Sequence, residues 1–438
     1  MNELINTKQQ DSMAAWYGVF VLLLAYVLSF VDRIILSLLV TPIKEDLGTT
    51  DAQMGLLMGF AFAIFYTIAG IPIAKYSDVK SRKMIIAIGI FLWSIMTAVC
   101  GLARSFFQLF LARVGVGVGE AALTPAAYSM ISDYFSEEKL GRAMAVYKSG
   151  AMFGGGLAFI IGGAVVGYVV NSDSIILPLL GEMKPWQMAF IIVGLPGVLI
   201  GLLMLTVKEP SRTGVADTLD KKVSISDAIK YMQKRWRIYL FIFLGFAFMA
   251  APISSALTWI PVYLQRIHEM SIPESGRTLG IIIFFLSSSG VLFSGWLIDT
   301  FKKRGYQDGY FKVALMICLV TIPIVYYSMN DQSLDKTLWW LHLFVFVASM
   351  PLVISATVLQ IVTPNQLRAQ VSAVYMLFLN LITALVVTTG IGFITDFWFK
   401  DEMALGQSIM AANLLSMSFA FICLYIAMSY FNKEFTNA

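Results

Sequence analysis

The sequence predicts an all-α membrane protein whose twelve transmembrane helices form two pseudo-symmetric six-helix bundles. Of its 438 residues, 58% are hydrophobic and only 13% are charged, whereas a soluble protein carries about 25% charged residues. Apolar runs of membrane-spanning length recur along the whole chain. In addition, a charged loop in the first half recurs at a matching position in the second half.

Twelve apolar runs bounded by charged residues are the predicted spans, since about 20 apolar residues suffice to cross a bilayer. Their predicted bounds are 14–40, 54–76, 84–103, 106–132, 143–170, 187–207, 238–264, 277–300, 311–329, 337–363, 369–397 and 404–430. The predicted domains are an N-terminal bundle (1–207), a cytoplasmic linker (208–237) and a C-terminal bundle (238–438). The linker contains apolar residues at helical spacing from Ile225 to Met232. This pattern is typical of an amphipathic helix on the inner leaflet, and an ordinary linker helix explains it equally well.

The distribution of Lys and Arg predicts the orientation. The linker and the loops after even-numbered spans are rich in basic residues, whereas the loops on the opposite side carry few. Because cytoplasmic loops carry the excess of Lys and Arg, both termini are predicted to be cytoplasmic. The expected location is the cell (inner) membrane, with several passes of the chain.

Several classes of function are disfavoured. A net charge of +4 does not indicate nucleic-acid binding. The cysteines Cys100, Cys318 and Cys423 lie in apolar runs and indicate neither a disulfide framework nor a metal site. Two dispersed histidines supply no nucleophile–base or metal cluster, so an enzyme is not expected. No cofactor is expected, and the chain is expected to be a monomer. A receptor or scaffold without transport stays an alternative.

The two halves share a charged loop. AKYSDVKSRK follows span two and GWLIDTFKKR follows span eight, both with the pattern small-x-x-x-Asp-x-x-x-basic-basic. The charged positions are Asp78, Arg82 and Lys83 in the first copy and Asp299, Lys303 and Arg304 in the second. The interval from Asp78 to Asp299 nearly equals the interval from Arg142 to Arg368. Two landmarks with nearly equal spacing indicate a duplicated six-span unit, the usual architecture of secondary transporters.

The loop AKYSDVKSRK resembles the signature loop of the major facilitator superfamily. Ala74 and Ser81 stand where the family pattern usually has glycine, and the second copy restores the first of these as Gly295. The resemblance covers the whole chain and implies alternating access by rocking of two bundles. It also implies a cytoplasmic gate, for which the candidate residues are Asp78, Arg82, Lys83, Asp133, Arg142, Asp299, Lys303, Arg304 and Arg368. Arg82 is expected to pair with Asp133 at the end of span four.

Four ionisable residues lie within spans one and four. Asp32 and Arg33 interrupt an apolar run, where each charge costs about 2.5–3.5 kcal/mol at mid-membrane. Arg113 and Glu120 are seven residues apart on one face of span four, at a depth that overlaps that of the first pair. The four charges form either a static network or a coupling switch in which a carboxylate exchanges an arginine partner for a proton. The candidates for the proton are Asp32, the first choice, and Glu120, which is also a candidate for gating or substrate contact.

A narrower resemblance lies in the N-terminal half. YVLSFVDR, RVGVGVGEAALTPAAYSMISDYF and EEKLGRAMAVYKSG are similar to bacterial members of the spinster family, with the match on Asp32, Arg33, Arg113 and residues 117–121. The resemblance implies a carrier related to the lysolipid and sphingolipid-phosphate transporters of animals, with proton-linked bacterial members. A span-one Asp-Arg and a span-four Glu-Ala also occur in organic anion:cation symporters for sugar acids. Such a symporter is the second interpretation.

Further substrate contacts are expected outside the charge cluster. Lys148 lies near the start of span five, where it either extends to the inner interface or binds an anionic substrate. Trp259, Gln360 and Asn380 belong to a C-terminal half whose spans are nearly free of charge, and simple helix packing is the alternative role for them. A cavity charged on one wall and weakly polar on the other suits an amphipathic anion. The predicted function is a secondary active transporter for an organic anion or amphipathic lipid-like solute, energised by the proton gradient and surrounded by membrane lipids.

Overall fold

The fold is almost entirely helical. A computed structural model describes residues 12–77, 79–170, 175–177, 181–212, 225–331 and 333–436. Within these ranges, twelve helical segments are long and apolar enough to cross a bilayer. These spans are Met13–Leu38, Asp51–Ser77, Arg82–Cys100, Phe106–Tyr134, Glu138–Val169, Pro185–Thr206, Trp236–Thr258, Ile272–Lys303, Gly309–Asn330, Leu334–Val362, Gln370–Phe399 and Glu402–Glu434. Each coincides with one predicted apolar run, so the prediction of twelve spans is confirmed.

Many spans are composed of more than one helix. The α-helices are α1 (Met13–Leu38), α2 (Val40–Leu47), α3 (Asp51–Gly55), α4 (Ala61–Ser77), α5 (Arg82–Cys100), α6 (Phe106–Glu120), α7 (Leu123–Tyr134), α8 (Glu137–Val170), α9 (Pro185–Thr206), α10 (Ile225–Lys234), α11 (Trp236–Met249), α12 (Ala251–Thr258), α13 (Ile260–Ile267), α14 (Ile272–Ile282), α15 (Ser288–Lys303), α16 (Gly309–Asn330), α17 (Leu334–Ser349), α18 (Pro351–Val362), α19 (Arg368–Leu381), α20 (Gly390–Phe393) and α21 (Leu405–Phe431). Two short strands, β1 (Ile175–Leu177) and β2 (Gly181–Met183), pair antiparallel between spans five and six. No element was predicted there from the sequence.

Breaks within the spans have local causes. Span four is interrupted after Glu120, where α6 ends and α7 begins at Leu123. Span ten is interrupted before Pro351, which lacks a backbone N–H and begins α18. Interruptions of this kind expose backbone groups and end helices at defined points. The break in span four therefore places Glu120 at a helix end.

The duplication extends to irregular helix turns. Span two contains a π-helical segment at Leu56–Phe60, and span eight contains one at Ile283–Ser287. The interval between these two segments is close to the interval between Arg142 and Arg368. Longer π-helical turns follow in span eleven, at Ile382–Thr389 and Ile394–Phe399. Because π-turns are rare and concentrate at functional sites, their matched positions support a common origin of the two halves.

The chain packs into two compact units. Unit 1 comprises Met1–Leu219 and Met270–Phe284, and unit 2 comprises Asp220–Glu269 and Phe285–Ala438. In unit 1, α8 packs along α1 and along α14, and α9 packs along α5. Six glycines of α8 make both contacts close. Three of them contact α1 (Gly150, Gly154 and Gly162), and three contact α14 or Phe284 just after it (Gly156, Gly163 and Gly167). The glycine-rich face of span five therefore contacts two neighbouring helices.

Candidate functional site

Arg33 of span one and Glu120 of span four form a direct ion pair. The Arg33 Nε donates a hydrogen bond of 2.6 Å to Glu120 Oε2, and the terminal Nη2 contacts the same oxygen. The Glu120 side chain is 1% exposed, whereas the Arg33 side chain is 29% exposed. Within the described residues, Glu120 Oε1 has no hydrogen-bond partner. One partner of this pair is therefore fully enclosed, and the other remains accessible.

Alternating glycines place Glu120 between neighbouring spans. A side chain at Gly117 would lie 2.7 Å from the Phe62 carbonyl oxygen of span two. A side chain at Gly119 would lie 2.6 Å from the Trp93 amide nitrogen of span three. Both neighbours approach the backbone of α6 where only hydrogen fits. This close packing encloses the Glu120 carboxylate at the end of α6.

Aromatic rings surround the Arg33 guanidinium. Its Cζ lies 4.4 Å from the Phe62 ring centroid, 5.4 Å from that of Tyr66 and 5.5 Å from that of Phe30. Each such contact stabilises a cation by about 0.5–2 kcal/mol, depending on its desolvation. These rings were not predicted from the sequence. Their spacing could have indicated them, because Phe62 and Tyr66 are four residues apart and Phe30 precedes Arg33 by three, and both spacings place residues on one face of a helix.

Asp32 and Arg113 meet through the main chain. Arg113 Nη1 donates a 2.8 Å hydrogen bond to the backbone carbonyl of Asp32, and both residues are at most 1% exposed. Across the described part of the chain, neither carboxylate oxygen of Asp32 has a hydrogen-bond partner of standard geometry. Thr97 and Trp93 of span three lie beside this carboxylate, and their own polar atoms are likewise without partners there. The expected four-charge network is thus one direct pair beside a main-chain contact.

A row of tyrosines connects Lys148 to the rings beside Arg33. The Lys148 Nζ lies 5.5 Å from the Tyr128 ring centroid. Tyr128 contacts Tyr147 edge-on at 5.7 Å, and Tyr147 stacks on Tyr26 at 4.9 Å. Tyr26 in turn lies 5.5 Å from Phe30. Lys148 itself is exposed, so the structure places a second accessible cation at the far end of this row.

The predicted contacts of unit 2 have different surroundings. Trp259 is fully buried, and its Nε1 donates a 2.8 Å hydrogen bond to the Thr388 carbonyl. That carbonyl belongs to the π-helical segment of span eleven. Gln360 is exposed and Asn380 is half-buried. The indole N–H of Trp259 is therefore hydrogen-bonded inside unit 2, whereas the amide side chains of Gln360 and Asn380 reach the surface of the unit.

The first charged loop is held together by Arg82. This residue is 1% exposed and pairs with Asp133, as the sequence predicted. Its Nη2 donates to the Pro210 carbonyl at 2.9 Å, and its backbone N–H donates to Glu209 Oε1 at 2.8 Å. Ser81 also donates to the Glu209 carboxylate. Glu209 was not predicted as part of this cluster, because it lies in the linker, far along the chain from Arg82.

The pKa of Glu209 is lowered by this arrangement. Partial burial alone would raise its pKa, but the hydrogen bonds from Ser81 and from the backbone N–H of Arg82, together with the charge of Arg82, outweigh that effect. The Glu209 side chain is 24% exposed. A carboxylate outside the membrane spans is therefore kept ionised where the linker begins.

The second charged loop lacks these contacts. Asp299, Lys303 and Arg304 are exposed, and none of them forms an ion pair with another described residue. Arg368 donates from Nε to the Thr363 carbonyl at 3.1 Å. The duplicated sequence pattern thus folds into one buried cluster and one exposed helix end.

Three further gate candidates complete the set. Lys83 Nζ donates to the Leu205 carbonyl at 3.4 Å, at the end of span six. Arg142 is exposed near the start of α8. Asp78 lies outside the described residues.

Comparisons with known proteins agree with this architecture. The Major Facilitator Superfamily model matches residues 22–387. A solved structure of a bacterial homologue of the human lysosomal transporter Spinster, inward-facing and unoccupied, is 27% identical, with a TM-score of 0.79 over 96% of this chain and 97% of that one. An MFS-type efflux pump of Mycolicibacterium smegmatis is 29% identical over 429 residues, covering 96% of this chain and 94% of the pump. The D-galactonate transporter of Escherichia coli is 27% identical over 325 residues, covering 69% of this chain and 71% of that protein.

The family model spans most of the chain, and the described fold agrees with a solved relative over nearly its whole length. The resemblance drawn from the signature loop and from the charged residues of spans one and four is thereby confirmed. This chain belongs to the major facilitator superfamily and is a multi-pass membrane transporter related to Spinster and to sugar-acid carriers.

Proposed function

We propose that this transporter is a proton-coupled secondary carrier that moves an amphipathic organic anion across the inner membrane by alternating access. The observation that carries the proposal is the Arg33–Glu120 pair, in which a carboxylate that is 1% exposed is held by a guanidinium that is 29% exposed. An accessible arginine can leave its carboxylate for another anion. An enclosed carboxylate cannot take a solvent shell in exchange.

Substrate binding starts at Arg33. A guanidinium presents several N–H donors in a planar fork that suits carboxylate and phosphate groups. An anionic substrate that reaches Arg33 competes with Glu120 for these donors. The rings of Phe30, Phe62 and Tyr66 stay in place beside the guanidinium and offer apolar contact to the rest of the substrate.

Proton coupling follows from the burial of Glu120. A charged carboxylate that loses its partner in an enclosed site costs several kcal/mol, and a proton removes this cost. Anion binding at Arg33 and protonation of Glu120 therefore favour each other. Asp32 is the second protonatable group of the proposal, since its carboxylate is fully buried and Arg113 donates to its main chain instead.

The surroundings of Arg33 favour a substrate with an apolar or aromatic part. The tyrosine row from Tyr128 to Tyr26 continues this apolar surface towards Lys148, a second cation. Similarity to a sphingosine-1-phosphate transporter of Mus musculus supports a lipid-like anion. Similarity to a D-galactonate transporter supports the second candidate, an organic anion:cation symporter for a sugar acid, which needs the arginine but not the rings.

The transport cycle is proposed to use both halves of the chain. Bundles 1–207 and 238–438 would rock about the linker 208–237, with both termini on the cytoplasmic side as the basic loops indicate. The cluster of Arg82 and Asp133 would latch the cytoplasmic gate, and Glu209 would tie the linker to it. The carrier would act as a monomer.

The substrate is tested first by ligand stabilisation. Purified protein is heated with lysophospholipids, sphingoid phosphates or sugar acids, and its unfolding temperature is recorded. Amphipathic anions are expected to raise this temperature in the wild type and not in Arg33→Gln. Stabilisation by sugar acids alone would support the second candidate.

Coupling is then tested in proteoliposomes with an imposed pH gradient. Flux of the identified anion is expected to follow the gradient in the wild type and in the control Asp335→Asn, which alters an exposed carboxylate far along the chain. Asp32→Asn and Glu120→Gln are expected to lose gradient-driven accumulation. Accumulation that survives both substitutions unchanged would refute proton coupling through these residues.

A further inference from the structure

Aromatic and basic side chains gather where the first and last helices of unit 2 meet one membrane interface. Trp236 begins α11, and Tyr430 lies in the last turn of α21, which packs along α11. The Tyr430 ring stacks on Phe241 of α11 at 6.4 Å, which joins the two helix ends. Because span seven starts here and span twelve finishes here, both aromatic residues lie at the same membrane boundary.

Two cations converge on these rings. The Arg237 guanidinium lies 5.5 Å from the Trp236 ring centroid and 6.0 Å from that of Tyr430. The Lys433 Nζ also lies 6.0 Å from the Tyr430 ring centroid. Both side chains are exposed, and neither has a carboxylate partner among the described residues.

The neighbouring acid does not neutralise this pair of cations. Glu434 is directed to Arg235, with Oε2 and Nη1 3.6 Å apart. Asp308 accepts from Asn432 and pairs with Lys312, so four cations and two carboxylates among the described residues share this corner of the unit, which leaves excess positive charge at a membrane boundary. Two like charges near one ring repel each other, and a bound anion would relieve that repulsion.

We propose that Trp236, Arg237, Tyr430 and Lys433 form a binding site for the headgroup phosphate of an anionic membrane phospholipid. Basic residues at the ends of membrane spans bind anionic headgroups, and Trp and Tyr prefer the headgroup level of a bilayer. The site is separate from the proposed substrate pathway and rests on residues of unit 2 alone.

The surface beside the cluster indicates a lipid rather than a soluble anion. Trp236 is 54% exposed, and Leu240 lies one turn further into the same span and is 38% exposed. On α21, Tyr425 and Ile422 continue inwards and are 58% and 56% exposed. A phosphate at Arg237 and Lys433 would thus carry its acyl chains along a surface that is already apolar. A free phosphate or an acidic peptide would gain nothing from that surface.

Lipid binding to the full-length protein in detergent is measured by native mass spectrometry, with phosphatidylglycerol and phosphatidylcholine titrated separately. The wild type is expected to bind one phosphatidylglycerol more tightly than phosphatidylcholine. The double variant Arg237→Gln/Lys433→Gln is expected to bind phosphatidylglycerol roughly thirtyfold more weakly, since each basic residue near the surface contributes about a factor of five. Its phosphatidylcholine binding should stay unchanged, which also reports an intact fold.

Two further variants keep the test specific. Arg237→Lys/Lys433→Arg preserves both charges and is expected to keep the preference. Lys336→Gln/Lys400→Gln removes two exposed charges at the opposite membrane end of unit 2 and is expected to leave the preference intact. An equal loss in this control, or competition by soluble glycerol phosphate or an acidic peptide as strong as that by the lipid, would overturn the proposal.

Discussion

Arg33 and Glu120 are joined by an Nε–Oε2 hydrogen bond of 2.6 Å, although one side chain is 29% exposed and the other only 1% exposed. This inequality is what distinguishes the pair from a structural ion pair between two enclosed groups. Lys44 and Asp51 form such a structural pair, 2.6 Å apart with side chains 7% and 0% exposed. In the proposed transport cycle, Arg33 is the charge that changes partners, because its side chain is the more exposed of the two.

The interaction between Arg33 and Glu120 should be measurable as a coupling energy. Glu120→Ala removes the carboxylate from an enclosed site, and we expect it to lower the free energy of unfolding by about 2 kcal/mol. The loss stays below the roughly 3–5 kcal/mol of a fully buried pair because the Arg33 side chain is 29% exposed and the aromatic rings beside it also stabilise its charge. A double-mutant cycle with Arg33→Gln, followed by denaturant unfolding in detergent, gives the pairwise value. A coupling energy near zero would mean that the two charges act independently.

Asp32 should respond in the opposite way. Its carboxylate is fully buried, and among the described residues it has no hydrogen-bond partner of standard geometry, although Thr97 and Trp93 lie beside it. Asp32→Asn keeps the shape and removes the charge, so we expect unfolding stability to rise or to change by less than about 1 kcal/mol. The matched control is Asp51→Asn, which leaves Lys44 buried and should cost about 3–5 kcal/mol. Equal losses in both variants would indicate that Asp32 has a stabilising partner.

Gly117 should tolerate no side chain. An added Cβ would lie 2.7 Å from the Phe62 carbonyl and 3.3 Å from the Tyr66 amide nitrogen. Gly117→Ala is therefore expected to separate spans two and four, lower stability by about 1–3 kcal/mol and reduce transport. Gly70→Ala is the control, because Gly70 lies in span two, which Gly117 contacts, and no atom of the described residues lies within 4 Å of a Cβ added there. It should be neutral or slightly stabilising, since alanine favours a helix.

The spans and the charged residues were predictable because each depends on a strong local signal. Membrane length fixes the apolar runs, and a charge within such a run stands out at once. The pairing of Arg82 with Asp133 was also predictable, since the chain order of the spans places those ends together. These predictions need only the residue types and their order along the chain.

The partners of the charges were less predictable because they depend on side-chain direction. Asp32 and Arg33 are adjacent in sequence but point to different neighbours, and only the helix rotation decides which one meets Glu120. Glu209 lies in the linker, where no periodic pattern indicates a contact with Arg82. The aromatic rings around Arg33 were hard to single out from the sequence, since 13% of all residues are aromatic.

The two copies of the charged loop should differ in their sensitivity to mutation. Arg82 and Lys303 occupy matching positions of the duplicated pattern, yet Arg82 is 1% exposed and Lys303 is exposed. Arg82→Gln removes a buried guanidinium that pairs with Asp133 and donates to the Pro210 carbonyl, and it is expected to lower stability by about 3–5 kcal/mol. Lys303→Gln should change it by less than about 0.5 kcal/mol. The two variants are compared by thermal unfolding. Similar losses of stability in both would mean that Lys303 has a partner in the membrane.

Glu209 should make the contact between the linker and Arg82 sensitive to acid. Because the pKa of Glu209 is lowered in the folded protein, the ionised form is bound more strongly than the protonated form. Its stabilising effect is fully present above the ordinary glutamate pKa of about 4.3 and is lost as the pH falls through the lower folded value. Neutral pH and mild acid should therefore leave the contact intact.

Hydrogen–deuterium exchange at Arg82 reports this directly, since its backbone N–H donates to Glu209 Oε1 at 2.8 Å. After correction for the intrinsic exchange rate, protection of this amide is expected to stay constant from neutral pH to about pH 5 and to fall below about pH 4. Glu209→Gln should remove this pH dependence, because the amide side chain does not titrate. Loss of protection between about pH 6 and 7 in the wild type would mean that another group, and not the Glu209 carboxylate, controls the contact.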